Sequence, residues 1–397
     1  MKKRAISIGL FLIVFAIALF AAVTVWGQRQ PPQTAPAAEY TVSGPYTHKN
    51  LTIFLLHGSN QSQGISPLTL QEAMKRKLVV VRETGDVNRL TIRNRSNRDV
   101  FVQAGDIVKG GQQDRALALD LIVPPKSGRI PIDAFCVEHG RWSRRGNETV
   151  TAFSASNNAL ASKDLKIAAK ARRSQGEVWA NVSKAQMKLA ANLATANSPS
   201  MGADRARAAR GGGSGDVAMT RSGNAGGGSI YVGGGPPTGS GAIGRLTSVT
   251  EQASPTSLQL TLENKVVKET ANDYVKNLSS IINGKRDVIG FVFAINGQMN
   301  SADVYSSNAL FVKLWPKMLE SSAIEAVAEL KADEKFQPVE AAAVNVFLRE
   351  SQAGKAETKK VTARTSVVKS ETEKNLFFET RDLSRGKTWL HRNYIAK

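Results

Sequence analysis

Residues 211–244 hold 14 glycines in 34 positions, with Ser, Thr and two adjacent prolines. Glycine gives up more backbone freedom on ordering than any other residue, so such a tract resists regular structure. It divides the 397-residue chain into two parts, and any common core must be closed across it. The composition predicts a flexible insertion over 201–250. Gly239-Ser240-Gly241-Ala242-Ile243-Gly244 matches a dinucleotide fingerprint by letter. No strong strand precedes it, and the glycines around it make a chance match easy, so a nucleotide site is not read there.

The other constraint lies at the start. Lys2, Lys3 and Arg4 precede an uncharged stretch, 5–25, dense in Ile, Leu, Phe and Val. As a helix rising about 1.5 Å per residue, it just spans a hydrocarbon core. Residues 1–27 read either as an uncleaved membrane anchor or as a long signal peptide ending at Gly27. No Cys directly follows the stretch, which argues against a lipoprotein. Both alternatives keep the cations inside and export the remainder, to a periplasmic, extracellular or outward-facing position.

Export changes how the charge is read. The chain has 53 Lys+Arg against 33 Asp+Glu, a formal net charge of +20. Such an excess implies an anionic neighbour. Outside the cytoplasm that neighbour is less readily nucleic acid than lipid headgroup, wall polymer or a phosphorylated small molecule. The single Cys136 excludes an intrachain disulfide framework and any Cys-rich zinc module.

Residues 28–44, with three prolines before Ala38, read as a linker. From 51 to 137 short β-like runs alternate with polar turns: 51–56, 78–82, 90–94, 100–102, 116–123 and 129–137. Thr69-Leu70-Gln71-Glu72 has the capping-box form and predicts a helix to about 77. Over 164–193, apolar residues at helical spacing (Leu165, Ala168, Ala169, then Val178, Val182, Ala185, Leu189) predict basic helices interrupted near Gly176. Beyond the insertion, 262–282 reads as a helix and 288–295 as a strand. Asn296-Gly297 reads as a hairpin turn, and a helix capped by Ser306 or Ser307 runs to about 330 past Pro316. The last strands are read at 361–369, 376–380 and 388–395. The fold class is α+β: an N-terminal hydrophobic helix, a mostly antiparallel, β-rich part over 45–200, and a second mixed part over 251–397.

Most catalytic templates are absent, and His48, His57, His139 and His391 lie too far apart in sequence for a local zinc site. No metal and no cofactor is read. Two blocks concentrate polar groups. In 105–115, Gly110-Gly111 would let backbone amides approach an anion, with Lys109 and Arg115 supplying charge. The alternative is a hairpin in which the glycines turn and Asp114 pairs with a cation. In 135–142, Cys136 and Glu138 share a strand face. The thiol is either a nucleophile or a small buried hydrophobe.

These blocks carry a resemblance. The run Ala104-Gly105-Asp106-Ile107-Val108-Lys109-Gly110-Gly111-Gln112-Gln113-Asp114-Arg115, then Val123-Pro124-Pro125, then Cys136-Val137-Glu138-His139-Gly140-Arg141-Trp142 resembles the ADP-ribosylglycohydrolase- and rhodanese-phosphatase-associated protein domain. Weaker matches are Val288-Ile289-Gly290, Ile295-Asn296-Gly297-Gln298, 311–315 and Trp389-Leu390-His391-Arg392. The resemblance spans 45–397 with the glycine tract as an insertion. It implies a link to ADP-ribose- or NAD-related metabolites and no defined reaction. The exported start and His139 depart from the pattern.

Three functional classes follow. In the first, the chain is a binding module for an anionic, nucleotide-like ligand. Lys109, Gln112, Gln113 and Arg115 serve as anion contacts, Asp106 and Asp114 stand beside them, Arg141 supplies charge, and Trp142 stacks. In the second, it is an envelope scaffold whose basic helices meet anionic lipid or polymer. In the third, it is a hydrolase or transferase using Cys136 as nucleophile, with Glu138 or His139 as base.

Overall fold

In the computed structural model, residues 39–61, 64, 66–160, 162–196, 249–250, 254–331 and 334–397 are described. The hydrophobic stretch 5–25 and the glycine tract lie outside them. Among the described residues no helix is long and apolar enough to cross a membrane. The described residues from Tyr40 onward form one compact unit.

The elements in chain order are β1 (Thr41–His48), β2 (Leu51–His57), β3 (Leu68–Thr69), α1 (Leu70–Lys75), β4 (Val79–Glu83), β5 (Arg89–Asn94), β6 (Val100–Val102), β7 (Asp106–Gly110), β8 (Arg115–Leu117), β9 (Leu121–Val123), β10 (Ile130–Cys136) and β11 (Phe153–Ala159). There follow α2 (Lys163–Lys166), a π-helical turn (Ile167–Arg172) and α3 (Gln175–Ala196). Then come α4 (Leu258–Glu263), α5 (Lys265–Leu278), a 3-10 turn (Ser279–Ile282), β12 (Val288–Ile295), β13 (Gln298–Tyr305), α6 (Asn308–Ala328), α7 (Ala341–Gln352), β14 (Lys355–Lys360), β15 (Thr365–Glu371), β16 (Asn375–Asp382) and β17 (Thr388–Ala396). The fold is mixed α+β and rich in sheet. Among the described residues every strand pairing is antiparallel except β3 with β6.

The largest sheet has eight strands in the order β1-β2-β12-β13-β17-β16-β15-β14. Its first two strands precede the glycine tract and its other six follow it. β2 pairs with β12 along nearly its whole length, from Leu51↔Ile295 to His57↔Val288. The pattern of β12 explains its central place. Val-Ile-Gly-Phe-Val-Phe-Ala-Ile is apolar without alternation and buried throughout, as a strand covered on both faces must be. Phe291 and Phe293 join the core beneath α6, with Leu310, Phe311, Leu314 and Trp315. Val292 and Ala294 face the other way, toward Val344, Phe347 and Leu348 of α7. Between β12 and β13, Asn296 and Gly297 both have positive φ (53° and 71°). A Cβ on Gly297 would lie 2.7 Å from the carbonyl oxygen of Gln337, so glycine is required there.

A six-stranded sheet, β11-β7-β8-β10-β5-β4, and a three-stranded one, β3-β6-β9, make the rest. Thr69 closes the predicted capping box. Its Oγ1 accepts from the Glu72 amide (3.2 Å), and Glu72 Oε2 accepts from the Thr69 amide (2.8 Å), an arrangement worth about 1 kcal/mol. In α3, Val178, Val182, Ala185 and Leu189 are buried as their spacing requires.

Several boundaries differ from the sequence reading. The linker runs into β1, whose Gly44-Pro45 looks like a turn but sits at a register shift between Ser43 and Tyr46. Residues 116–123 form two strands of different sheets. The break in the basic helices falls at Arg173, which takes φ 55°, three residues before Gly176. The helix read at 262–282 is two, separated where the Asn264 side chain caps α5. β11, α7 and β14 have no counterpart in that reading. β14, Lys-Ala-Glu-Thr-Lys-Lys, is exposed at every residue, so burial leaves no alternation in its sequence to detect.

Candidate functional site

Glycine geometry sets the first block. Gly110 and Gly111 have φ of 109° and 58°. A Cβ on Gly111 would meet Phe153 Cζ at 2.5 Å and Glu83 Oε1 at 2.6 Å. The chain reverses there, and β7 pairs back onto β8 with Val108 opposite Arg115. The turn places Asp114 so that its Oδ1 accepts from the Gly110 amide at 2.9 Å. The amide of Asp114 in turn donates to Glu138 Oε2 at 2.9 Å.

Asp114 and Glu138 are fully buried, and two arginines neutralise them. Arg145 donates to both Asp114 oxygens, each at 2.9 Å, and to Glu138 Oε1 (3.3 Å) and Glu148 Oε1 (3.0 Å). Arg141 grips Glu138 with Nε at 2.7 Å and Nη2 at 2.8 Å. Its remaining donors reach the carbonyls of Gly110 (3.2 Å), Gly111 (3.1 Å) and Ser143 (2.8 Å). From across the glycine tract, Ser257 Oγ donates to Asp114 Oδ2 (2.7 Å) and Ser254 Oγ to Glu138 Oε1. Burial alone would lower the pKa of Arg145, but the hydrogen bonds and charge of Asp114 outweigh it and raise the value. Charges this deep are tolerable only when paired and hydrogen-bonded throughout.

The hairpin alternative therefore describes the first block. Gln113 and Arg115 are fully buried. Arg115 Nη1 donates to the Gln113 carbonyl (2.9 Å) and lies 3.4 Å from its Oε1, while Nη2 stands 3.6 Å from Glu83 Oε1. Among the described residues, Gln113 Nε2 and Arg115 Nε have no hydrogen-bond partner. The Gln112 amide donates to Glu83 Oε1 at 3.0 Å. Asp106 stands apart from the cluster, paired with Lys317 of α6. Trp142 is 54% exposed. His139 meets Trp179 edge to face at 4.6 Å.

Cys136 is buried on β10, its Sγ 4.0 Å from the Val87 carbonyl. Burial pushes its thiol up to about 11, with Arg115 opposing and Glu83 and Glu138 adding to the rise. It lacks the exposure and the lowered pKa that a cysteine nucleophile needs. Glu138, the other catalytic candidate, is held by both arginines.

Beside the cluster opens a cavity of about 800 Å³, lined by Lys109, Arg145, Glu148, Phe153, Leu260 and Glu263, among others. Of the predicted site residues, Lys109 is in its lining. Its Nζ pairs with Glu263 Oε2 at 2.5 Å, and both side chains are partly exposed (23% and 32%). Among the described residues no three His, Cys, Asp or Glu side chains gather as metal ligands would.

A second buried network escaped the sequence reading. His391 of β17 lies between two carboxylates, Nδ1 at 2.6 Å from Asp120 Oδ2 and Nε2 at 3.0 Å from Asp303 Oδ1. Thr380 Oγ1 and the Ala104 amide also donate to Asp120, each at 2.7 Å. Asn393 Nδ2 donates to Asp303 Oδ1 at 3.0 Å, and its Oδ1 accepts from Lys170 Nζ at 2.8 Å. The imidazole stacks on Tyr305 at 4.7 Å. Burial would lower the pKa of His391, but the charge of Asp120 and its hydrogen bonds to both carboxylates raise it. Burial would likewise raise that of Asp120, and the charge of His391 and Lys170 pulls it below the carboxylate range. His391 and Asp120 are 271 residues apart, and no spacing rule connects them.

Fold and site together define a mixed α+β domain that folds a mixed-charge motif inward and leaves a cavity at its edge. A model of the ARG and Rhodanese-Phosphatase-superfamily-associated Protein domain matches residues 39–211 and 241–395. The chain belongs to that family. No curated protein and no solved structure matches it.

Proposed function

We propose that the chain is an exported or membrane-anchored binding module, directed outward by residues 1–27, that takes an anionic, nucleotide-like small molecule in the cavity beside Lys109 and Arg145. The observation that carries this reading is the cavity itself. Its volume suits a small metabolite, and its wall is rigid, because Arg145 is fixed by three carboxylates. Phe153 adds an apolar face, and Lys109 has a partner, Glu263, that a ligand anion can displace. The family's name, with its tie to ADP-ribosylglycohydrolase, favours a ligand related to ADP-ribose or NAD. Other residues from the two blocks act as the frame that holds this wall.

The other two readings have less support. Several cations of the basic helices already have internal partners: Lys184 pairs with Asp164, Lys188 with Glu329, and Lys170 is buried against Asn393. Cys136 is buried and its thiol is pushed up, which weighs against a nucleophilic role.

Titration calorimetry of the detergent-solubilised full chain with ADP-ribose, NAD and inorganic phosphate tests the proposal. Saturable binding of a nucleotide ligand is expected, weakened about tenfold by Lys109→Ala, the equivalent of about 1.4 kcal/mol. No binding by any of the three at millimolar concentration would defeat it.

A further inference from the structure

At one edge of the eight-stranded sheet, three side chains form a relay that neither the cavity nor the buried clusters use. Ser43 Oγ lies 2.7 Å from His57 Nε2. His57 Nδ1 lies 3.0 Å from Asp287 Oδ2. The residues are far apart in the chain and are brought together by register. Thr41 pairs with His57 and Ser43 with Leu55, so Ser43 and His57 are diagonal neighbours on one face. Val288, just after Asp287, also pairs with His57, and the Gly58 amide donates to the Asp287 carbonyl at 2.9 Å, which pins the carboxylate beside the ring.

We infer that Ser43, His57 and Asp287 form a nucleophile–base–orienting constellation able to hydrolyse a carboxylic ester with a short acyl group. The distances are those a serine nucleophile, its imidazole base and an orienting carboxylate require. The hydrogen bond from His57 holds the Asp287 carboxyl below its usual range, so it is ionised at neutral pH. In the neutral ring the carboxylate fixes the proton on Nδ1 and leaves Nε2 to accept from the Ser43 hydroxyl. The ring is mostly sheltered, with 14% of its side chain exposed, whereas Asp287 is 67% exposed. Ser43 is half-buried on β1, an edge strand of the sheet. Next to it, Gly44 and Pro45 are exposed. Ser43 can therefore be reached from solvent. The open edge strand encloses no long acyl chain, hence the short acyl group. Gly44 supplies the nearest following backbone amide for the oxyanion.

The chemistry balances with water as the only co-reactant. The Ser43 oxygen attacks the carbonyl carbon while its proton passes to His57 Nε2. The tetrahedral intermediate collapses, the carbon–oxygen bond to the alcohol breaks, and the proton leaves with the alkoxide. Water then attacks the acyl-serine, again deprotonated by His57, and releases the carboxylic acid with Ser43 restored. Asp287 touches no reacting atom and is a positioning residue.

The test treats the detergent-solubilised full chain with a fluorophosphonate probe and, separately, with p-nitrophenyl acetate. Labelling mapped to Ser43 and turnover of the ester are expected. Ser43→Ala should abolish labelling and cut turnover about 100-fold or more, as loss of a nucleophile does. His57→Gln should do the same with an unchanged circular-dichroism spectrum. Thr47→Ala, on the same strand, should change neither. Asp287→Asn should lower kcat about 10- to 100-fold, less than for a buried carboxylate, at constant KM and with an altered pH–rate profile. Asp287→Glu should recover much of that loss. Absence of label at Ser43, or turnover that persists in Ser43→Ala, would overturn the assignment.

Discussion

The Asp114–Glu138 cluster and the His391 network bury comparable sets of charges by different routes. The first is built largely from one stretch of chain. Arg141 and Glu138 are three residues apart, Arg145 and Glu148 likewise, and Asp114 lies 24 residues before Glu138. The second gathers Asp120, Asp303, Thr380 and His391 from four strands or strand ends, up to 271 residues apart. The local cluster shapes the edge of a cavity. The distant one joins strands that precede the glycine tract to strands that follow it. Buried charge thus has two uses here, rigidity at a surface feature and cohesion between sequence halves.

The contrast is sharpest where one partner is removed. His391→Ala leaves Asp120 and Asp303 buried with Lys170 as their remaining cation. It should cost about 3–5 kcal/mol of unfolding free energy in urea titration, the largest effect among these variants. Glu138→Gln leaves Asp114 and Glu148 in place for the arginines and should cost about 2–3 kcal/mol. If Glu138→Gln proves the costlier, the local cluster and not the distant one holds the unit together.

Acidity separates the two regions further. The folded-state pKa of His391 is raised, so its stabilisation is fully present below the unfolded value of about 6.5 and is lost as pH rises through the raised folded value. That of Asp120 is lowered, so its stabilisation is present above its unfolded value and is lost as pH falls through the lowered folded one. His391→Gln should therefore flatten the neutral-to-alkaline limb of a stability–pH curve. Glu138→Gln should leave that limb in place.

Smaller effects mark the rim. Lys109→Ala removes a partly exposed pair and should cost under about 1 kcal/mol of stability, although it weakens ligand binding. Trp142→Ala should stay within about 0.5 kcal/mol of the parent chain, since more than half of the residue is exposed. A cost well above that would place Trp142 in an ordered contact.

Legibility followed range. The capping box at Thr69, the Asn296-Gly297 hairpin, the apolar stripe of α3 and the doubly covered β12 could all be read, because each is a periodicity or a turn with a local physical cause. Asp114 stands out in one polar block and Glu138 and Arg141 in another, but that the two blocks meet and face inward does not. Burial depends on what packs above, and here that includes Ser254 and Ser257 from beyond the glycine tract. The Ser43, His57 and Asp287 relay left no trace in sequence, since strand register alone makes the three neighbours. Lone histidines at 57 and 391 carry no spacing that distinguishes them from surface residues.

The sequence by itself determined the mixed α+β composition, most of the element positions, the family and the residues in which charge concentrates. Only the tertiary structure decided which of those charges face each other, that Cys136 is sealed, and that strands from both sides of the glycine tract share one sheet. Local patterns follow from backbone geometry within a few residues. Pairing across a sheet follows from a register set by whole faces packing against helices, which no short window of the chain contains.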